Sequence, residues 1–211
     1  MTSENINLKE TKTRIHVFDF DGTITCADSL IAFIRHARGN SALIDGLLLY
    51  SPLLVMMKLR LIDGGSVKER LFAHLFKGMT VENFEKAGAD FTTDRTDILR
   101  PAAMKHIADV LAKGEKVYVV TASIGQWVEP FFTKRFGAGR VIVISTQAEV
   151  KEGLITGRFA TPNCYGKEKV RRLKAVLTDR DRLHITAYGD SRGDKELFDY
   201  ADERFYKPFE Q

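Results

Sequence analysis

Two carboxylates stand two residues apart in Phe18-Asp19-Phe20-Asp21-Gly22-Thr23-Ile24-Thr25, directly after the apolar run Ile15-His16-Val17. Residues i and i+2 of an extended strand point to the same side, so Asp19 and Asp21 can approach one site. Like charges that close repel unless a cation or a shared proton compensates them. Gly22 permits a sharp turn, and Thr23 and Thr25 bring hydroxyls and backbone N–H groups to a loop able to hold an anion. An isolated Asp-Gly is ordinarily just a turn. Here two further polar clusters follow apolar runs: Thr121-Ala122-Ser123 after "KVYVV", and Asp190-Ser191 at the end of "ITAYGD".

Together these residues suit one chemistry. Asp190 beside Asp19 offers oxygen ligands to a hard divalent cation; Mg²⁺ takes few carboxylates and keeps waters and phosphate. Such a cation relieves the repulsion between the acids and draws an anionic phosphate toward an anionic nucleophile. Thr121 would donate its hydroxyl to a phosphate oxygen, and Asp21 would protonate a leaving alcohol. A lysine of "CYGKEKV", either Lys167 or Lys169, would balance the remaining charge.

The elements that must position these side chains alternate along most of the chain. Strands are expected at Arg14–Phe20, Lys116–Val120, Val141–Ser145, Leu183–Tyr188 and Glu203–Tyr206. Helices are expected over 100–113, Gln126–Phe136, Glu168–Leu177 and 194–200, with Pro101 in a first turn and Gly114 as a stop. Glu152-Gly153 reads as a hairpin turn between Gln147–Val150 and Leu154–Phe159. Alternation of this kind implies an α/β fold, a Rossmann-like, mostly parallel sheet flanked by helices. Ligands of such sheets sit at the carboxyl ends of the strands, where all three polar clusters fall.

Between the first two strands the pattern is purely helical: Asp28–Arg38, Ala42–Ile62, Ser66–Lys77 with Ser66 as N-cap and Glu69 three residues on, and a helix opened by Thr80 and Asn83. The expected organisation is a core of residues 13–26 and 99–211, an inserted all-helical cap over 27–98, and a loose tail over 1–12. The 211 residues suit one compact domain with such an insertion. The polar start MTSENINLKE carries no secretory signal, and Cys26 and Cys164 form no metal motif or disulfide framework, so a cytoplasmic setting is expected. The net charge of +4 favours anions, but the basic residues are scattered and no nucleic-acid motif is present. Cys164 reads as a packing residue, His16 and His184 as structural, Trp127 as packing at a helix start, and Arg171-Arg172 with Lys174 as a solvated helix face.

The order DFDGT, then a hydrophobic strand ending in Thr, then Lys, then GDSRGD resembles the haloacid dehalogenase-like superfamily, over about 14–207. It is most similar to the superfamily's helical-cap phosphatases, the group containing phosphoserine phosphatases. The resemblance implies Asp19 as nucleophile, forming an aspartyl-phosphate, and Asp21 as acid and then base, its carbonyl also on Mg²⁺. It implies Thr121 on the phosphoryl group and Asp190 as metal ligand, with Asp194 and Ser191 supporting from behind. Gly22, Thr23, Ala122 and Ser123 become candidates to line the phosphate site. An acid at Asp21 favours phosphomonoester hydrolysis over dehalogenation. The branch pattern Gly-x-x-Lys selects Lys169 over Lys167.

The insert must choose the substrate. Asp28 stands where phosphoserine phosphatases carry an amine-reading glutamate, and it is equally an N-cap for the next helix. No clear counterpart exists for that family's cap arginine; Lys68 and Arg70 are the candidates. Residues 43–62, "LIDGLLLYSPLLVMMKLRLI", are apolar around Leu47–Met57 and flanked by Lys58 and Arg60. Such a helix forms the insert's own core, a dimer face, or a peripheral surface dipping into the inner face of a membrane. The chain also resembles bacterial helical-cap phosphatidylglycerophosphatases in this run and in Cys164–Val170. The implied partners are therefore a phosphorylated small molecule or a lipid phosphate. A catalytically silent relative that binds a phosphorylated ligand is the reading of another class, but a pure binder would not need Asp21.

Overall fold

The computed structural model describes residues 12–59 and 61–210. The expected tail lies outside these residues except for Lys12, as does Arg60. Strand β1 (Thr13–Phe18) leads into helices α1 (Ser29–Lys58), α2 (Gly64–Phe76) and α3 (Val81–Asp94). Then come α4 (Pro101–Ala112), β2 (Lys116–Ile124), α5 (Gly125–Phe136), β3 (Val141–Thr146), β4 (Ala148–Lys151) and β5 (Leu154–Phe159). The chain ends with α6 (Lys167–Val176), β6 (Leu183–Gly189), α7 (Lys195–Tyr200) and β7 (Glu203–Tyr206).

Five of the strands form one sheet in the order β3-β2-β1-β6-β7, parallel throughout. The sheet is flanked by helices, as its alternating sequence requires. In the centre, β1 is covered on both faces, which is why it reads as a continuous apolar run. Ile15 and Val17 pack with Leu173 of α6 and Leu197 of α7, while Phe18 and Phe20 pack with residues of α4 and α5. Burial of both faces drives the extended chain to deliver Asp19 and Asp21 at the carboxyl edge.

Helix α1 is broken at Gly39, whose φ of 84° only glycine adopts without strain. The sequence expectation of separate helices before and after this point therefore holds. The inserted helices share one continuous hydrophobic cluster with the sheet's α4–α5 face. Phe33 of α1 stacks on Trp127 of α5 with ring centroids 4.5 Å apart, and Phe84 and Phe91 of α3 meet Phe33 edge-on. The hairpin β4–β5 forms a separate two-stranded sheet and packs against α2.

Two local expectations are corrected. Helix α2 starts at Gly64, and Asp63, not Ser66, is the N-cap: its carboxylate accepts the Ser66 N–H at 2.8 Å. Asp is as good a cap as Ser and lies three residues earlier. Glu69, free of a capping box, accepts the Phe159 N–H at 2.7 Å and ties α2 to β5. Arg172 is likewise no solvated residue. Its guanidinium donates to the carbonyls of Ser145 and Pro162 and to Glu168, anchoring α6 to the end of β3.

Candidate active site

The carboxyl ends of β1, β2 and β6 converge, and each supplies one part of the site. Asp19 immediately follows β1; its N–H still pairs with the Tyr188 carbonyl of β6 at 2.9 Å, so the strand's register fixes it. The Asp19 carboxylate is buried, and Lys169 Nζ donates to its Oδ1 at 2.6 Å. The same ammonium donates to Asp194 Oδ1 at 2.6 Å. Burial opposes the charge on Lys169, but Asp19 and Asp194 hold its pKa above the ordinary lysine value. Burial also pushes Asp19 up, to about 7, against the pull of Lys169. Lys169 is 2% exposed and reaches inward from the first turn of α6, whereas Lys167 points to solvent. One helical turn carries both lysines, and only their angular offset separates them.

Asp21 uses different partners. The Ser29 N–H, at the start of α1, donates to Oδ1 at 2.7 Å, and Ser123 Oγ donates to Oδ2 at 2.5 Å. Ser29 Oγ lies 2.9 Å from Ser123 Oγ and accepts the Trp127 indole N–H at 3.2 Å. Because Ser123 spends its proton on Asp21, the chain runs in one direction, from indole through two hydroxyls to the carboxylate. Burial and the nearby Asp28 raise the Asp21 pKa, while Lys68, Ser123 and Ser29 pull it down.

Gly22, with φ 80°, makes the turn. A Cβ there would stand 2.3 Å from Asp190 Oδ2, so glycine is what lets the β1 and β6 loops meet. Thr23 Oγ1 donates to Asp190 Oδ1 at 3.5 Å and Gly22 N–H to Thr25 Oγ1 at 3.2 Å, so both residues support the loop from within. Asp194 Oδ2 accepts the N–H groups of Asp190 and Ser191 at 3.2 and 3.1 Å and the Ser191 hydroxyl at 3.0 Å. These bonds shape the loop after β6. The carboxylates of Asp19, Asp190 and Asp194 bring oxygens within 4.8 Å of one another. Asp194 spends its oxygens on Lys169 and on this loop, which leaves Asp19 and Asp190 as the free carboxylates, the one or two that Mg²⁺ takes. Thr121, buried at the end of regular pairing in β2, accepts the Ser123 N–H at 2.9 Å and keeps its own hydroxyl proton to donate.

The insert supplies Asp28 and Lys68. Asp28 caps α1, accepting the Ile31 N–H at 3.0 Å, and lines a cavity that also touches Ala122 at the end of β2. Lys68 of α2 donates to the Ala122 carbonyl at 2.7 Å, and burial lowers its pKa against the pull of Asp21 and Asp28. Arg70, the other candidate, is exposed. The sequence reading missed Ser29; its signal was a small polar residue directly after an N-cap, where a helix start offers free N–H groups. Trp127 packs as expected but adds an indole donor. Cys164 is buried, with its thiol pushed up to about 11 by burial, and His16 is held by Glu115 and Tyr188.

Residues 16–199 match the family model of the haloacid dehalogenase-like hydrolases. Protein CicA of Caulobacter vibrioides is 36% identical over 194 residues, covering 91% of this chain and 85% of its own. A Bordetella pertussis protein of unknown function superposes with a TM-score of 0.77 at 20% identity, over 93% of this chain and 90% of that one. A phosphoserine phosphatase solved as a phospho-aspartyl intermediate analogue superposes with a TM-score of 0.59 at 18% identity, over 92% and 86% of the two chains. At those identities the two structures show a common fold. By its match over residues 16–199, the chain belongs to the haloacid dehalogenase-like hydrolases.

Proposed function

We propose that the protein is a Mg²⁺-dependent phosphatase that hydrolyses a phosphomonoester through an aspartyl-phosphate on Asp19. The observation that carries this reading is the division of labour between two carboxylates: Asp19 is held by Lys169, and Asp21 by Ser29 and Ser123. An Asp19 oxygen attacks phosphorus, the ester P–O bond breaks, and Asp21 gives its proton to the leaving alcohol. Asp21 then takes a proton from the water that attacks the aspartyl-phosphate, releasing phosphate and restoring Asp19. Lys169 neutralises Asp19, and Thr121 offers its hydroxyl to a phosphoryl oxygen. Asp19, Asp190 and the Asp21 carbonyl would hold the cation, with Asp194 and Ser191 fixing the loop behind Asp190. When bound, Mg²⁺ supplies charge neutralisation for phosphate and carboxylates alike. The phospho-aspartyl analogue captured in a phosphoserine phosphatase of the same fold supports this reading.

The substrate class is a phosphorylated small molecule in a cytoplasmic setting, phosphoserine-like compounds being the first to try; Asp28 and Lys68 would meet their polar groups. A second reading is a lipid phosphate handled at the membrane surface. It is favoured by the stretch of α1 beyond the Gly39 break, which is apolar while little of it is buried. Leu48 is 68% exposed and Leu61 67%.

The test is Mg²⁺-dependent phosphate release from phosphoserine, micellar phosphatidylglycerophosphate and an aryl phosphate, with Asp19→Asn as the blank. Turnover of any of these by the wild type, lost in Asp19→Asn, is expected. Turnover unchanged in Asp19→Asn, or none with any of the three, overturns the proposal.

A further inference from the structure

Between α1 and α2 lies a cavity of about 700 Å³ that reaches the end of β2 at Ala122. Its walls have two zones. Leu30, Ile31, Leu47, Leu54, Met57 and Leu71 make an aliphatic chamber. Lys68 and Asp28, both near enough to act on Asp21, make a polar collar at the end toward Asp21, and Asp63, Asn163 and Tyr165 add further polar lining. Among the described residues Lys68 brings the one cationic side chain of the lining, and its bond to the Ala122 carbonyl places it next to the end of β2 that carries Thr121 and Ser123. Leu30 and Leu71 are buried, but Leu47 and Leu54 are only half-buried and Met57 is exposed, so the chamber is apolar surface left in contact with water. Concave sites with apolar walls and a few convergent polar groups are built for ligands.

We infer that this cavity is the leaving-group site, and that it takes a phosphomonoester whose alcohol carries a hydrogen-bond acceptor beside the ester and an extended apolar body beyond it. The inference rests on the phosphatase reading for the word "leaving", but the cavity's selectivity is independent of turnover. A serine leaving group would engage the collar and leave the aliphatic walls wet. An aliphatic chain would cover Leu47, Leu54 and Met57, and an acceptor beside the ester would meet Lys68. Such amphiphiles reach the site either as monomers or from a bilayer; the same chemistry recognises both.

The test uses alkyl phosphonates from ethyl to octyl, which carry the phosphate-like head and cannot be hydrolysed. Their binding to the Mg²⁺-loaded full chain is measured by calorimetry, below their critical micelle concentrations. Affinity is expected to rise about twofold to fourfold per added methylene. Leu54→Gln should flatten that slope, and a phosphonate with a hydroxyl beside its head should lose about tenfold in Lys68→Met. A flat chain-length profile in the wild type overturns the inference while leaving the phosphatase reading intact if aryl phosphate is turned over. A rising profile in a protein that turns over nothing keeps the cavity and overturns the phosphatase reading. A second arm offers the same ethyl-to-octyl series in phosphatidylcholine vesicles. If chain-length dependence appears with vesicles alone, the exposed face of α1 is what senses the apolar body, and the cavity assignment fails.

Discussion

The main-chain N–H of Ser29, the first residue of α1, donates to Asp21 Oδ1 at 2.7 Å. The carboxylate proposed for acid–base work is thus held partly by the helical insert and partly by Ser123 of the core. Ser123→Ala removes one charge-assisted bond to Asp21 and breaks the link to Ser29. A loss of about tenfold in kcat is expected, with little change in KM, because the bond positions a reacting group rather than the substrate. Steady-state kinetics on an aryl phosphate checks this; a rise in KM alone would contradict it.

Lys169 and Lys167 offer a sharper contrast. Lys169→Ala leaves Asp19 and Asp194 facing each other without a counter-charge, in a buried place. Turnover should fall by about a thousandfold, the scale of losing a preorganised charge at a reacting centre. Lys167→Ala, at an exposed position, should stay within about twofold and melt with the wild type. Parallel kcat measurements with melting curves separate the two.

Gly22→Ala meets two penalties at once. The added Cβ would approach Asp190 Oδ2 to 2.3 Å, and the φ of 80° disfavours any L side chain. The expected result is a protein less stable by about 1–3 kcal/mol, with Mg²⁺ activation shifted to higher concentration because Asp190 is pushed aside. Denaturant melts and a Mg²⁺ titration of turnover measure both effects.

The pH dependence of stability should report on Glu168. Hydrogen bonds from Arg171 and Arg172 hold its carboxyl down from the ordinary 4.5 to about 2. A depressed folded-state value means that this contribution is fully present above pH 4.5 and is lost as pH falls toward about 2. Glu168→Gln should cost about 1–2 kcal/mol near neutrality and make the melting temperature less sensitive to pH across that window. Equal acid sensitivity in both proteins would refute the assignment.

The candidate site residues were legible because strand ends are. Asp19, Thr121 and Asp190 each close an apolar run, and parallel pairing brings such ends together without further information. Lys169 became legible once the motif set the lysine's spacing, and the helix then turned Lys167 outward. Ser29 was not legible, since its role depends on where α1 starts in space relative to Asp21, a tertiary fact. Arg172 misled for the same reason: its charge suggested water, but its stem crosses to the carbonyls at the end of β3. Asp63 was overlooked as a cap because Ser66 offered an equally good local pattern three residues later.

The shared aromatic cluster has an evolutionary consequence. Gly88 of α3 lies so close to α5 that a Cβ would come within 2.3 Å of the Gln126 carbonyl, and Phe33 stacks on Trp127. The insert is therefore not an interchangeable cassette. Grafting it onto another relative's core would carry half of a hydrophobic interior without its complement. Changes of specificity along this lineage should accumulate as single substitutions on the cavity walls, with the aromatic seam held fixed.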